Sequence, residues 1–348
     1  MDTYFLTFFI TFLLSASIVF LAAKKNWFMN QNDSSGVQKF HKKITPHVGG
    51  LAIYFGLIFG LYFLGYEARK IMMQLIIVST PIFFIGLIED LTSRVSPALR
   101  MYCIIFSIAC SFYFLDIKID NLDISWTDQF LSIPIISLLF TLLVLGGSVN
   151  SFNVIDGFNG LMLGFVIITL SAFIYVAFLY DDKLIINLCF FLISSIGGLF
   201  VLNFPFGKIF TGDGGAYLIG FLTSSIGLFL ASRHEDLSNW FVLAILMYPM
   251  YELLFSIIRK RLVMKKPASQ PDSFHLHMMI FRFIEGRYKK LHPALSNSFT
   301  SPILWVLSLS SVIPALVFHN DKLILIFICC IYMFFYTTFY IKVYRKNF

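Results

Sequence analysis

The residues in this chain that could do chemistry are carboxylates and carboxamides, and they stand where apolar runs stop. Glu89 and Asp90 end the stretch PIFFIGLIED. Asn150, Asn153, Asp156 and Asn159 follow in GGSVNSFNVIDGFNG, and Asp213 sits in GDGGAYLIG. Oxygen donors of this kind are hard ligands suited to Mg²⁺ or Mn²⁺, which take one or two protein ligands and complete their shell with substrate phosphates. The glycines beside Asp213 allow close backbone approach, and a helix start there favours phosphate. A third group, His275, His277 and Arg282 in KKPASQPDSFHLHMMIFRF, offers donors for a diphosphate, with Arg able to bind it in bidentate fashion. Taken singly, an Asp-Gly or Asn-Gly pair is usually a turn, adjacent acids are an interface cap, and a His-x-His in a basic loop is solvated. On an extended segment, however, positions i and i+2 share a face.

The elements that must position these groups are membrane helices. Of 348 residues 58% are hydrophobic and 13% charged, which points to an all-α polytopic membrane protein. About 11 transmembrane helices are expected: Thr3–Ala23, Gly49–Tyr66, Ile71–Ile88, Leu99–Leu115, Phe130–Val149, Leu161–Tyr180, Leu184–Leu202, Gly215–Ser232, Trp240–Ile258, Pro302–Phe318 and Leu323–Val343. The first lacks a basic flank and a small-residue cleavage site, so it reads as a retained span. Five cysteines lie inside apolar runs without metal spacing. IKIDNLDISW alternates apolar and polar residues and could form a small hairpin. With no internal repeat or linker, residues 1–348 read as one domain, with a motif core at about 39–285 and a long cytoplasmic connection at 259–298.

Charge sets the expected orientation. Arg69, Lys70, Lys118, Lys183, Arg233 and Lys322 would share one side, and the other 20 of the 26 Lys and Arg the opposite one. Such a bias predicts an outside amino terminus and a cytoplasmic carboxyl terminus. The net charge of +7 then faces anionic headgroups and substrates, and nucleic acid is not the expected partner. All the unusual acids and amides fall at the cytoplasmic ends. An ion pathway would place them near the midplane. This pattern instead suggests chemistry between a soluble molecule and a lipid headgroup. A transporter with a cytoplasmic acidic gate is the alternative from another class.

Five segments in order resemble the polyprenyl-phosphate N-acetylhexosamine-1-phosphate transferases (glycosyltransferase family 4). They are HKKITPHVGG, GLIEDLTSRVSPALR, NSFNVIDGFNG, FPFGKIFTGDGGAYLIGF and PDSFHLHMM, and they run from about Lys39 to Arg282. The resemblance implies attack by an oxygen of undecaprenyl phosphate on the β-phosphorus of a UDP-N-acetylhexosamine, with UMP leaving. It implies Mg²⁺ (or Mn²⁺) on Asp213, helped by Asn153. The catalytic acids would be Glu89, Asp90, Asp156 and Asp213, with the Glu89–Asp90 pair near the attacking phosphate. The implied substrate-binding residues are Lys43, Thr45, Arg100, Asn150, Asn153, Asn159, His275, His277 and Arg282. Arg100 would hold the lipid phosphate, Asn159 would lie near the uracil, and His275, His277 and Arg282 near the diphosphate or sugar. An aspartyl-phosphate route is left open.

Three departures stand out. Glu89 replaces the commoner Asp, Asn159 falls in DGFNG where DGxDG is common in bacteria, and His47 stands where Arg is usual. Leu276 interrupts the three consecutive histidines typical of the phospho-MurNAc-pentapeptide branch. That favours a simple UDP-N-acetylhexosamine, GlcNAc by default, while leaving the peptide-bearing branch as the alternative. The resemblance places the protein in a bacterial inner membrane, feeding a surface polysaccharide, and allows a homodimer through lipid-facing helices.

Overall fold

A computed structural model describes residues 2–25, 45–265, 267, 272–287 and 293–347. In it the apolar runs are helices: α1 (Asp2–Lys25), α2 (Gly49–Gly60), α3 (Tyr66–Thr92), α4 (Pro97–Leu115), α5 (Ser125–Leu131), α6 (Pro134–Ile155) and α7 (Leu161–Leu179). They continue with α8 (Lys183–Asn203), α9 (Gly212–Arg233), α10 (Asn239–Ile245), α11 (Met247–Ile258), α12 (Leu276–Arg287), α13 (Pro293–Val317) and α14 (Lys322–Asn347). Among the described residues, nine helices are long and apolar enough to cross a membrane. A tenth span is bent by 75° between α10 and α11, and the expected span at Gly49–Tyr66 is a shorter helix finished by a tight turn at Leu61–Phe63. The all-α, multi-pass membrane architecture is therefore as expected.

The core forms around α9, which is almost wholly buried. Its small residues let neighbouring backbones come close, the usual means of packing helices in lipid. A Cβ on Gly86 of α3 would lie 2.5 Å from the Gly214 Cα, and one on Gly50 would lie 2.5 Å from the Gly215 Cα. Hydroxyls join helices across the interior, as in Thr11–Ser195 (3.1 Å) and Ser148–Ser224 (2.6 Å). Phe5, Tyr102, Phe106, Phe114, Phe327 and Phe334 stay exposed on α1, α4 and α14, where lipid would cover them.

Two connections differ from expectation. The segment 117–124 is not a hairpin, and no strand occurs among the described residues. Its backbone is claimed by α6 and α5 instead. The Ile119 N–H donates to Thr141 Oγ1 (2.9 Å), Ser137 Oγ donates to the Ile119 carbonyl (2.9 Å), and the Leu122 N–H donates to Asp128 (2.7 Å). The long connection 259–298 also carries structure: a π-helical turn at Arg259–Val263, then α12, whose Leu276, Met279, Ile280, Phe281 and Ile284 are buried, then the start of α13.

Candidate active site

The helices alternate in direction, so α3 and α6 end, and α4 and α9 begin, at one end of the bundle. α3 alone is about 40 Å long at 1.5 Å per residue, which puts Arg69 and Lys70 far from Asp90. At the site end, Ser96 caps α4 by accepting from the Leu99 N–H (3.2 Å), and Pro97 fits the first helical position. α9 starts differently. No side chain of its own caps it, and Gly212 adopts φ +77°. That backbone suits glycine, and a Cβ there would lie 2.0 Å from the His47 carbonyl oxygen.

Asp90 supplies the missing cap from α3. Its Oδ1 accepts from the Asp213 N–H (2.7 Å) and its Oδ2 from the Gly214 N–H (3.1 Å). Negative charge is favourable at a helix N-terminus, so this acid orients the turn that presents Asp213. Glu89 points elsewhere. Its Oε2 accepts from the Val95 N–H (2.8 Å), and its carbonyl accepts from Ser93, which sits at φ 51° and ends α3. Glu89 therefore shapes the turn that delivers α4 and Arg100.

Asp213 is the meeting point. Arg100 Nη1 donates to its Oδ2 (3.0 Å), and the Asn153 side-chain amide lies 2.8 Å from its Oδ1. Asp156, at the end of α6, has its pKa pushed well up by desolvation and by the nearby Asp213 charge. Asn150 stays outside the cluster, its amide bonded to the Gly146 carbonyl of its own helix (2.8 Å). Five residues from four helices thus converge: Asp90, Arg100, Asn153, Asp156 and Asp213.

The remaining candidates lie around the Asp156–Asn159 turn. Asn159 is buried and locked: its N–H donates to Asn297 (2.8 Å), its side-chain amide to the Pro205 carbonyl and Ser298 Oγ (3.0 Å each), and its carbonyl accepts from Ser301 (2.6 Å). Thr45 Oγ1 donates to the Gly207 carbonyl (3.4 Å). Lys43 lies outside the described residues. His275 and His277 stack with parallel rings 5.3 Å apart, and His277 packs edge-on to Phe158 at 5.4 Å. His277 is fully buried, and burial drives its pKa down to about 3, so it meets the turn as a neutral ring. The Arg282 guanidinium lies 6.0 Å from the Phe274 ring.

Sequence reasoning passed over two residues. Asn203 accepts from the Gly160 N–H (2.6 Å) and donates to the Ile209 carbonyl (2.7 Å), tying the Asp156 turn to the segment before α9. Its signal was an Asn at the end of an apolar run, beside Phe-Pro. Glu252, an acid within an apolar run, is fully buried on α11.

The arrangement defines a class: a membrane-embedded enzyme whose acids and one arginine gather at one end of the helix bundle. Comparisons narrow it. Residues 72–231, from α3 through α9, match the model of glycosyl transferase family 4. A probable undecaprenyl-phosphate N-acetylglucosaminyl 1-phosphate transferase of Bacillus subtilis is 27% identical over 309 residues, covering 86% of this chain and 82% of that protein. An undecaprenyl-phosphate alpha-N-acetylglucosaminyl 1-phosphate transferase of Thermotoga maritima is 28% identical, covering 81% of this chain and 82% of its own length. Its counterpart in Escherichia coli K12 is 23% identical, with 78% and 74% covered. Residues 72–231 thus resemble glycosyl transferase family 4, and the chain is similar to these transferases over most of its length.

Proposed function

We propose that this protein moves an N-acetylhexosamine-1-phosphate, GlcNAc-1-phosphate by default, from a UDP-sugar to undecaprenyl phosphate at the cytoplasmic face of a bacterial inner membrane. The observation that carries this reading is the convergence on Asp213 of Arg100, Asn153 and Asp90, inside the segment that matches the family. An oxygen of the lipid phosphate forms a bond to the β-phosphorus, the bond from that phosphorus to the bridging oxygen breaks, and UMP leaves with the electron pair. A phosphate monoester has a second pKa near 6, so the nucleophile is already ionised at neutral pH and needs no protein base. Asp90, with both oxygens engaged by α9, fits an orienting role better than a proton acceptor's.

The site suits Mg²⁺ or Mn²⁺. Among the described residues no three His, Cys, Asp or Glu side chains form a metal-binding group; Asp213, helped by Asn153, would hold the ion, with substrate phosphates completing its shell. The Asn153 amide lies 2.8 Å from Asp213 Oδ1, so the two side chains would be able to share one hard cation once the amide presents its oxygen. Such an ion would neutralise charge on the transferring diphosphate, the main requirement of phosphoryl transfer. Arg100 would hold the lipid phosphate, and His275, His277 and Arg282 would serve the diphosphate or sugar.

The test is release of UMP by the purified protein with undecaprenyl phosphate, Mg²⁺ and a panel of UDP-sugars. Turnover should require one UDP-N-acetylhexosamine, stop with chelator and vanish in Asp213→Ala. Undiminished UMP release in excess chelator, or in that variant, would refute the reading.

A further inference from the structure

Glu252 is an acid inside a membrane helix, far along the chain from the Asp213 cluster, and both its oxygens are used. Oε1 faces His275 Nδ1 at 2.9 Å and accepts from the Leu276 N–H at 3.4 Å, while Oε2 accepts from the Tyr336 hydroxyl. A charge inside a membrane-spanning helix is costly. The partners explain the acid. Leu276 is the first residue of α12, and the Met279 N–H returns to the His275 carbonyl (3.1 Å). Glu252 therefore does for α12 what Asp90 does for α9: it caps a helix from outside and sets the direction in which that helix starts.

It also decides the state of His275. A backbone N–H can only donate and an ionised carboxylate can only accept, so the ring proton shared with Oε1 sits on Nδ1. That orientation turns Nε2 away from Glu252, the same logic by which a buried acid fixes a histidine's tautomer. One turn of chain before it, the segment is held a second time. Arg259, seven residues beyond Glu252, grips Asp272 and the Phe274 carbonyl, and Tyr340 donates to that same carbonyl (3.0 Å). α11 and α14 hold the approach to α12 from both sides, and the consequence is seen at His277, whose Nε2 lies beside Gly157 in the Asp156–Asn159 turn.

We propose that Glu252 is a positioning residue: it fixes His275 as the Nδ1–H tautomer and sets the start of α12, and so holds the stacked His275–His277 pair against the Asp156–Asn159 turn. The claim rests on the transferase reading above for its kinetic part only. Glu252→Gln keeps the shape but can no longer accept at both oxygens as a carboxylate does. It should lower kcat on the order of 10- to 100-fold, the usual cost of losing the partner that orients a functional histidine, and leave KM for the UDP-sugar within about twofold. Glu252→Asp should recover part of the loss. The double variant Glu252→Gln/His275→Ala should be no slower than His275→Ala alone, because the acid acts through that ring.

The independent readout is amide hydrogen exchange of the full-length protein in detergent. Peptides covering 272–280 should exchange faster in Glu252→Gln, with the α9 amides unchanged. Should that variant fail to fold, His275→Leu carries the same exchange measurement from the other partner. Unchanged exchange at 272–280, a wild-type kcat in Glu252→Gln, or additive losses in the double variant would each overturn the proposal. If the wild-type protein releases no UMP from any UDP-sugar, the transferase reading fails, and the exchange experiment still decides the positioning role.

Discussion

Asp90 offers the sharpest test of how this site is built. If its carboxylate caps α9, then Asp90→Ala strands two N–H groups, those of Asp213 and Gly214, at the buried start of the central helix. Replacing an N-cap by Ala costs about 0.5–2 kcal/mol, and hydrogen bonds to a charged partner lie at about 1.5–3 kcal/mol. About 2 kcal/mol is therefore expected for Ala, and about 1 kcal/mol for Asn, whose single oxygen can keep one of the two bonds. At about 2–4 °C per kcal/mol for large chains, the apparent Tm should fall by about 4 °C in Asp90→Ala and about 2 °C in Asp90→Asn. Membrane proteins often unfold irreversibly, so the comparison holds at one fixed heating rate.

The local assay is hydrogen exchange of the peptide spanning Gly212–Leu218. Its first-turn amides should lose protection in the order wild type, Asn, Ala. Activity should fall in the same order, because Asp213 is presented by that turn. A different result would refute the capping account: Asp90→Asn with unchanged Tm and unchanged α9 exchange, yet turnover reduced 1000-fold. The carboxylate would then act on the reacting groups themselves.

Other perturbations follow from the same geometry. Asp156 has a raised pKa, so its ionisation favours the unfolded chain. Stability should drop as pH rises from about 4, the unfolded value, to the folded one, and Asp156→Asn should raise the apparent Tm at pH 7 in metal-free buffer but not at pH 4. Asp182, at the opposite end of the bundle, is the reverse case. Burial opposes its charge, but Arg233, the Ile185 N–H and His234 outweigh it and hold the pKa below its usual range. Its contribution should be intact above about pH 4 and vanish as pH falls through the folded value, a loss absent from Asp182→Asn melting curves. Gly86→Ala drives a methyl to 2.5 Å from the Gly214 backbone, which cannot turn aside, and should cost about 1–3 kcal/mol or more. Gly147→Ala meets only Met250 Cε at 3.9 Å and should melt like the wild type.

How much of this could be read in advance depends on which interaction carries the information. Helices were legible because lipid demands long apolar runs, and the acids were legible as oddities against them. Their partners were not. That Asp90 would serve the backbone of α9, over 120 residues away, depends on Gly86 and Gly214 letting two helices touch. Asn159, read as a group beside uracil, is engaged by Asn297, Ser298 and Ser301 of α13 and by the Pro205 carbonyl between α8 and α9. The hairpin expected at 117–124 failed for a related reason. Alternation marks a segment with one buried face, but here that face packs on α6, whose Thr141 and Ser137 take the hydrogen bonds a partner strand would have taken. Glu252 was visible as a charge in a span, whereas its link to His275 needed the path of the chain through α12.

The charges at the site also explain why it is built from so many acids. Asp90 is offset by the N-terminus of α9, and Asp213 by Arg100 and the Asn153 amide. Asp156 lies close to Asp213, and desolvation, together with the Asp213 charge, pushes its pKa up. Helix ends and one guanidinium thus cover part of the negative charge and leave the rest to whatever binds. The proposed transfer between two phosphate-bearing substrates would call for a basic site; among the described residues the cluster around Asp213 is acidic, with Arg100 as its arginine. On the proposed transferase reading those demands agree if a divalent cation accompanies the substrates: Asp213 and Asn153 would hold it, and Arg100 would remain for the second phosphate. On the proposed reading, an unaccompanied phosphate would meet the Asp213 carboxylate and be repelled, so binding of the UDP-sugar should weaken when the divalent cation is removed.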